Sequence, residues 1–124
     1  MLAKKNGADG IELDVSQTKD GQNIVIHGER ARATVCGQKY IIANHTLADL
    51  KEHCLLKNGE QLRTLEEMLK EIQGLFDYYF VEIKVYNPKN VEHQTIDIVQ
   101  TVQKMGMQDK VIFTSYDKEA TYIL

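Results

Sequence analysis

The chain has 124 residues, 43% of them hydrophobic and 27% charged, and a formal net charge of −3, the make-up of an ordinary soluble globular domain. Its basic residues are scattered, with no Lys/Arg stripe alternating with aromatics, which excludes nucleic acid as a partner. No apolar run is long enough to span a bilayer, Met1 to Asn6 do not make a signal peptide, and Cys36 and Cys54 lack both CxxC spacing and a histidine at metal spacing, so they read as plain thiols.

Met1 to Gly7 read as the last turn of a helix, with Lys4 and Lys5 near its C-terminus and Gly7 as the stop. Gly10 to Val15 alternate apolar and acidic residues with the period of a strand. Lys19-Asp-Gly21 supplies turn chemistry, and Asn23 to His27 follow as a second strand. Gly28 to Tyr40 are polar and irregular; Thr46 then caps a short helix from Leu47 to about His53, and Lys57-Asn-Gly59 makes a turn. Thr64-Leu-Glu-Glu67 is a capping box opening a helix whose apolar side carries Leu65, Met68, Leu69 and Ile72.

After Gly74 a third strand, Tyr79 to Val85, repeats the apolar and charged alternation of the first, until Asn87-Pro88 breaks it. An amphipathic helix runs from about Asn90 to Met105, with Val91, Ile98, Val99 and Val102 among its apolar positions, and Gly106 stops it. Val111 to Ser115 form a fourth strand, and a further helical segment occupies Tyr116 to Leu124. Alternating strands and helices predict an α/β protein with parallel strands and right-handed crossovers. A barrel and a doubly wound sheet fit this pattern equally well. A complete (β/α)₈ barrel takes about 250 residues, so as a barrel the chain amounts to about half.

Parallel strands are usually apolar on both faces, so acidic residues inside one require an explanation. Glu12 and Asp14 lie two positions apart and share a face, with Ile11, Leu13 and Val15 turned toward the covering helices; Glu82 and Lys84 share a face in the third strand, opposite Val81, Ile83 and Val85. Uncompensated burial of three neighbouring carboxylates is costly through desolvation and repulsion, and a divalent cation relieves both. Carboxylates are hard ligands, which points to Mg²⁺ or Ca²⁺. Lys84 is placed to meet an anionic substrate group or to offset negative charge. His27 ends a strand, at the end where α/β barrels keep their active sites. The bland alternative is a polar face of an antiparallel sheet with Glu82 and Lys84 as a cross-strand ion pair; the helices between strands argue against it. His45, His53 and His93 have no convergent partners legible in the sequence and read as structural.

Gly7-Ala-Asp-Gly-Ile-Glu-Leu-Asp-Val15, Thr18-Lys-Asp-Gly21 and Ile24-Val-Ile-His27 together resemble the signature block of glycerophosphodiester phosphodiesterases. Thr64 to Leu69, Val81-Glu-Ile-Lys84 and Val111 to Tyr116 are similar to the helix and strands that follow in that family, in the same order. The resemblance implies a TIM barrel of which residues 1–124 form a partial domain, about strands two to five of eight, lacking both ends. It implies Glu12, Asp14 and Glu82 as metal ligands, His27 as an acid/base and Lys84 beside the phosphate. The implied reaction of the intact protein is metal-dependent hydrolysis of a small-molecule glycerophosphodiester to an alcohol and sn-glycerol 3-phosphate, with the compartment left open.

Three features depart from the family pattern. The His-Arg-Gly strand end, source of the other catalytic histidine and of a phosphate-binding arginine, does not occur in this sequence; Gly28 stands where an Asp usually follows the second histidine; and Arg63 replaces a frequent Pro. Thr114 and Ser115 would lie at the mouth with no assigned role. Two alternatives follow: a phospholipase-C-like lyase of the same fold, and an inactive barrel fragment acting as a binding or structural module.

Overall fold

The computed structural model describes residues 10–25, 34–35, 40–53, 62–85, 88–115 and 117–123. Strand β1 (Gly10–Gln17) is followed by β2 (Asn23–Val25), a small hairpin of β3 (Thr34–Val35) and β4 (Tyr40–Ile41), and a 3₁₀ turn at Ile42–Asn44. Helix α1 (Leu47–His53), β5 (Arg63–Thr64), α2 (Leu65–Ile72) and β6 (Tyr78–Ile83) come next. A second 3₁₀ turn (Pro88–Asn90) leads into α3 (Val91–Lys104), β7 (Val111–Thr114) and α4 (Lys118–Ile123). The helical run at Met1–Gly7 and the turn at Lys57–Gly59 lie outside the described residues, as does the end of the second strand at His27.

The main sheet has the order β5-β2-β1-β6-β7. β1, β6 and β7 are parallel, as the strand and helix alternation predicts, with Asp14 beside Glu82 and Glu82 beside Thr114. The expectation of parallel strands fails at the second strand: β2 runs antiparallel to β1, and β5 antiparallel to β2. Residues 18–22 explain this, because a connection that short joins only antiparallel neighbours, whereas a parallel crossover needs about a dozen residues. Gly21, at φ 79°, closes the turn, a conformation for which glycine has no steric penalty. The β3–β4 hairpin falls within a stretch that reads as irregular in sequence.

One face of the sheet carries the core. Ile11, Leu13 and Val15 of β1 and Tyr79, Val81 and Ile83 of β6 join Leu65, Met68, Leu69 and Ile72 of α2 and Ile98 and Val102 of α3 in a single buried cluster. α2 begins at a complete capping box: Glu67 N–H donates to Thr64 Oγ1 at 3.1 Å and Thr64 N–H to Glu67 Oε1 at 2.9 Å. α2 and β6 are locked by Tyr79, fully buried, whose hydroxyl donates to Ile72 O at 2.8 Å and accepts from Phe76 N–H at 3.3 Å.

The opposite face is open. Phe80 and Ile112 are register neighbours on it and remain 40% and 43% exposed. Gly10 stands under the Phe80 ring, where a Cβ would come within 2.8 Å of Phe80 Cε2. This bare face, continuous with the acidic residues, is what the strand alternation presents to the site.

Candidate metal centre

Alternation along two parallel neighbours builds the site. Because β1 buries Ile11, Leu13 and Val15, it must turn Glu12 and Asp14 to the open face; β6 does the same with Glu82 by burying Val81 and Ile83. The in-register pairing of Asp14 with Glu82 then sets the two acids side by side one pair short of the C-terminal end of the β1–β6 ladder. Glu12, Asp14 and Glu82 each offer a carboxylate oxygen, all within 4.8 Å of one another. Three of the predicted site residues therefore converge.

The electrostatics of the trio carry the mark of crowding. Burial first, then the charges of Glu82 and Glu12, push the Asp14 carboxyl up to about 6, against the opposing pull of Lys84, and a hydrogen bond with Glu82 adds to the rise. Asp14 Oδ1 is buried and accepts no hydrogen bond. A buried carboxylate oxygen without a donor is costly, and a cation held between these carboxylates would satisfy it. The residues thus fit a hard divalent ion bound through oxygen, as the sequence predicts; the donor set alone does not choose between Mg²⁺ and Ca²⁺.

Lys84, one residue past the end of β6, reaches back along its own strand to form an ion pair with Glu82. The pair lies within one strand of a parallel arrangement, not across an antiparallel one. His27, the predicted acid/base, lies outside the described residues, as does Gly28. Thr114, beside Glu82 in register, is exposed.

Two of the histidines read as lacking partners have them. His45 Nδ1 lies 2.6 Å from Asp49 Oδ2, and His93 Nδ1 lies 3.1 Å from Gln17 Nε2. The first pair spans one helical turn at the start of α1 and was legible as an i, i+4 spacing; the second joins residues 76 apart in sequence and left no local signal. Sequence reasoning also passed over Gln94, a buried amide on the core side of α3 that donates to Lys84 O at 3.0 Å. Its sequence signal was a polar residue between the apolar positions Val91 and Ile98.

The model of the glycerophosphoryl diester phosphodiesterase family matches residues 1–123. A glycerophosphodiester phosphodiesterase of Bacillus subtilis is 32% identical over 139 aligned positions, which cover 95% of this chain and 46% of that protein. The crystal structure of a glycerophosphodiester phosphodiesterase from Parabacteroides distasonis superposes with a TM-score of 0.85 at 29% identity, over 98% of this chain and 49% of that one. A phosphodiesterase of Oleispira antarctica, solved in complex with the product sn-glycerol-3-phosphate, shares the fold with a TM-score of 0.78 at 21% identity, over 98% and 51% of the two chains. The chain thus spans about half the length of the relatives it matches.

Proposed function

Because this chain belongs to the glycerophosphoryl diester phosphodiesterase family, we propose that the whole protein hydrolyses glycerophosphodiesters to an alcohol and sn-glycerol 3-phosphate in a metal-dependent reaction. The observation that carries the reading is the convergence of Glu12, Asp14 and Glu82 on one face of two parallel strands, with Asp14 Oδ1 buried and without a donor. In this reading β1, β6 and β7 are three successive staves of a (β/α)₈ barrel, antiparallel β2 is not one of them, and residues 1–124 are one partial domain of it.

Glu12, Asp14 and Glu82 hold a divalent cation, Mg²⁺ or Ca²⁺. When bound, that ion supplies electrostatic stabilisation for the negative charge that develops on the phosphate. Lys84 presents its ammonium to a non-bridging phosphate oxygen as a compact point charge. His27, two residues beyond β2, passes a proton to the leaving oxygen. The opposite proton transfer needs a second histidine, which in the family comes from the His-Arg-Gly strand absent from this sequence, so residues 1–124 alone are inert. Among the described residues no helix is long and apolar enough to cross a membrane, and the reading requires none.

The test is hydrolysis of glycerophosphocholine by the whole protein, with and without chelator, in wild type and in Glu12→Ala, Glu82→Ala and His27→Ala. The expected result is chelator-sensitive release of glycerol 3-phosphate that falls by about a hundredfold or more in each variant. A cyclic phosphate that accumulates instead would move the assignment to a lyase of the same fold. A folded, metal-loaded protein with no turnover would leave a different phosphodiester substrate or a binding module.

A further inference from the structure

Lys84 carries its charge on a flexible four-carbon stem, so where its ammonium can go depends on how firmly its backbone is fixed. It stands just past the last residue of β6, where strand pairing ordinarily lapses. Here the backbone is held by three different elements. Lys84 N–H donates to Val15 O of β1 at 2.9 Å. The preceding carbonyl, Ile83 O, accepts from Ser115 Oγ beyond β7 at 2.8 Å, and Ser115 Oγ itself accepts from Asp117 N–H at 3.1 Å. Lys84 O accepts from Gln94 Nε2 of α3 at 3.0 Å.

We propose that Ser115 and Gln94 are positioning residues: by pinning the carbonyls of Ile83 and Lys84 they fix the strand end from which Lys84 addresses an anionic phosphate oxygen of the substrate. The inference deepens the functional reading above and rests on it. Gln94 is 2% exposed and occupies a core-facing place on α3 beside Val91 and Ile98. A side chain of that polarity is unfavourable there unless its hydrogen bonds are made, and the carbonyl it serves lies two residues past Glu82. Ser115 likewise serves a carbonyl beyond the last β6–β7 register pair, Glu82 with Thr114. Neither side chain needs to touch substrate; both act through the Lys84 backbone.

The test is calorimetric binding of sn-glycerol 3-phosphate to the whole protein in saturating Mg²⁺, or Ca²⁺ where Mg²⁺ gives none, which requires no turnover. Ser115→Ala and Gln94→Leu should each weaken binding by about three- to tenfold. Ser115→Thr, which keeps the hydroxyl, should restore it, and cation affinity without glycerol 3-phosphate should stay at the wild-type value. In a Lys84→Ala background neither substitution should weaken binding further, because a positioning effect has nothing left to act on. Equal losses with and without the Lys84 side chain, or no loss at all, would overturn the proposal while leaving the functional reading intact. A wild type that binds neither cation nor glycerol 3-phosphate would overturn both. Should Gln94→Leu fail to fold, Ser115→Ala with its threonine rescue carries the test.

Discussion

At the scale of single residues, Asp14 is where folding stability and the proposed cation site pull apart. Its carboxyl is raised from 3.8 to about 6 by burial and by its acidic neighbours, so the folded chain holds that proton more tightly than the unfolded one does. The resulting stabilisation is complete below about pH 4 and is lost as pH rises through about 6. In chelator, Asp14→Asn should therefore be more stable than wild type at pH 7.5, by about 1 kcal/mol after allowance for solvent screening of a partly exposed carboxyl, and nearly equal to it at pH 4. Thermal melts at the two pH values check this, and a variant less stable than wild type at pH 7.5 would contradict it. A cation bound at the proposed site would displace the same proton, so metal affinity should climb between about pH 5 and 7 and then level off. Calorimetric titration across that range reads it directly. The three carboxylates and Lys84 were legible because strand alternation assigns faces without knowledge of the fold. The in-register meeting of Asp14 with Glu82 depends on strand order and was not.

At the scale of elements, the helix starts and stops were the most readable features, since they follow from local chemistry. The Thr64 capping box and the stop of α3 at Gly106, with φ 69°, stand where the sequence puts them. The β1–β2 hairpin shows the converse: the turn chemistry of Lys19-Asp-Gly21 is legible, but the general alternation of strands and helices points to a parallel neighbour, against what a five-residue link implies. The joint between α2 and β6 left no pattern either, because the Tyr79 hydroxyl meets backbone groups that only the packed helix presents. Tyr79→Phe should cost about 1 to 2 kcal/mol, since Ile72 O and Phe76 N–H lose a buried partner. Cation affinity should be unchanged, as Tyr79 points away from the carboxylates. Denaturant unfolding beside a metal titration separates the two effects, and a drop in both would mean that the joint also governs the site.

At the scale of the whole molecule, the rows across the open face run from apolar to acidic. Tyr78 lies nearest the strand starts, Glu12, Phe80 and Ile112 form the next row, and Asp14, Glu82 and Thr114 the last. If β1, β6 and β7 are staves of a barrel, Phe80 and Ile112 belong to its filled interior, and the strands opposite would cover them. Among the described residues Phe80 and Ile112 stay exposed on that face, and β5 and β7 stand as the outer strands of the sheet, so the isolated chain should self-associate as concentration rises. One pair of substitutions distinguishes a barrel interior from an ordinary exposed face. Phe80→Ala with Ile112→Ala should reduce self-association of the isolated chain with a smaller loss of stability, because in it the two side chains stay 40% and 43% exposed. In the whole protein each substitution should instead cost about 2 to 4 kcal/mol, the range for a cavity opened in a packed core. Sedimentation velocity on the chain and denaturant unfolding of the whole protein supply the two measurements. A harmless pair in the whole protein would mean that this face is never covered, and the barrel reading would fail with it.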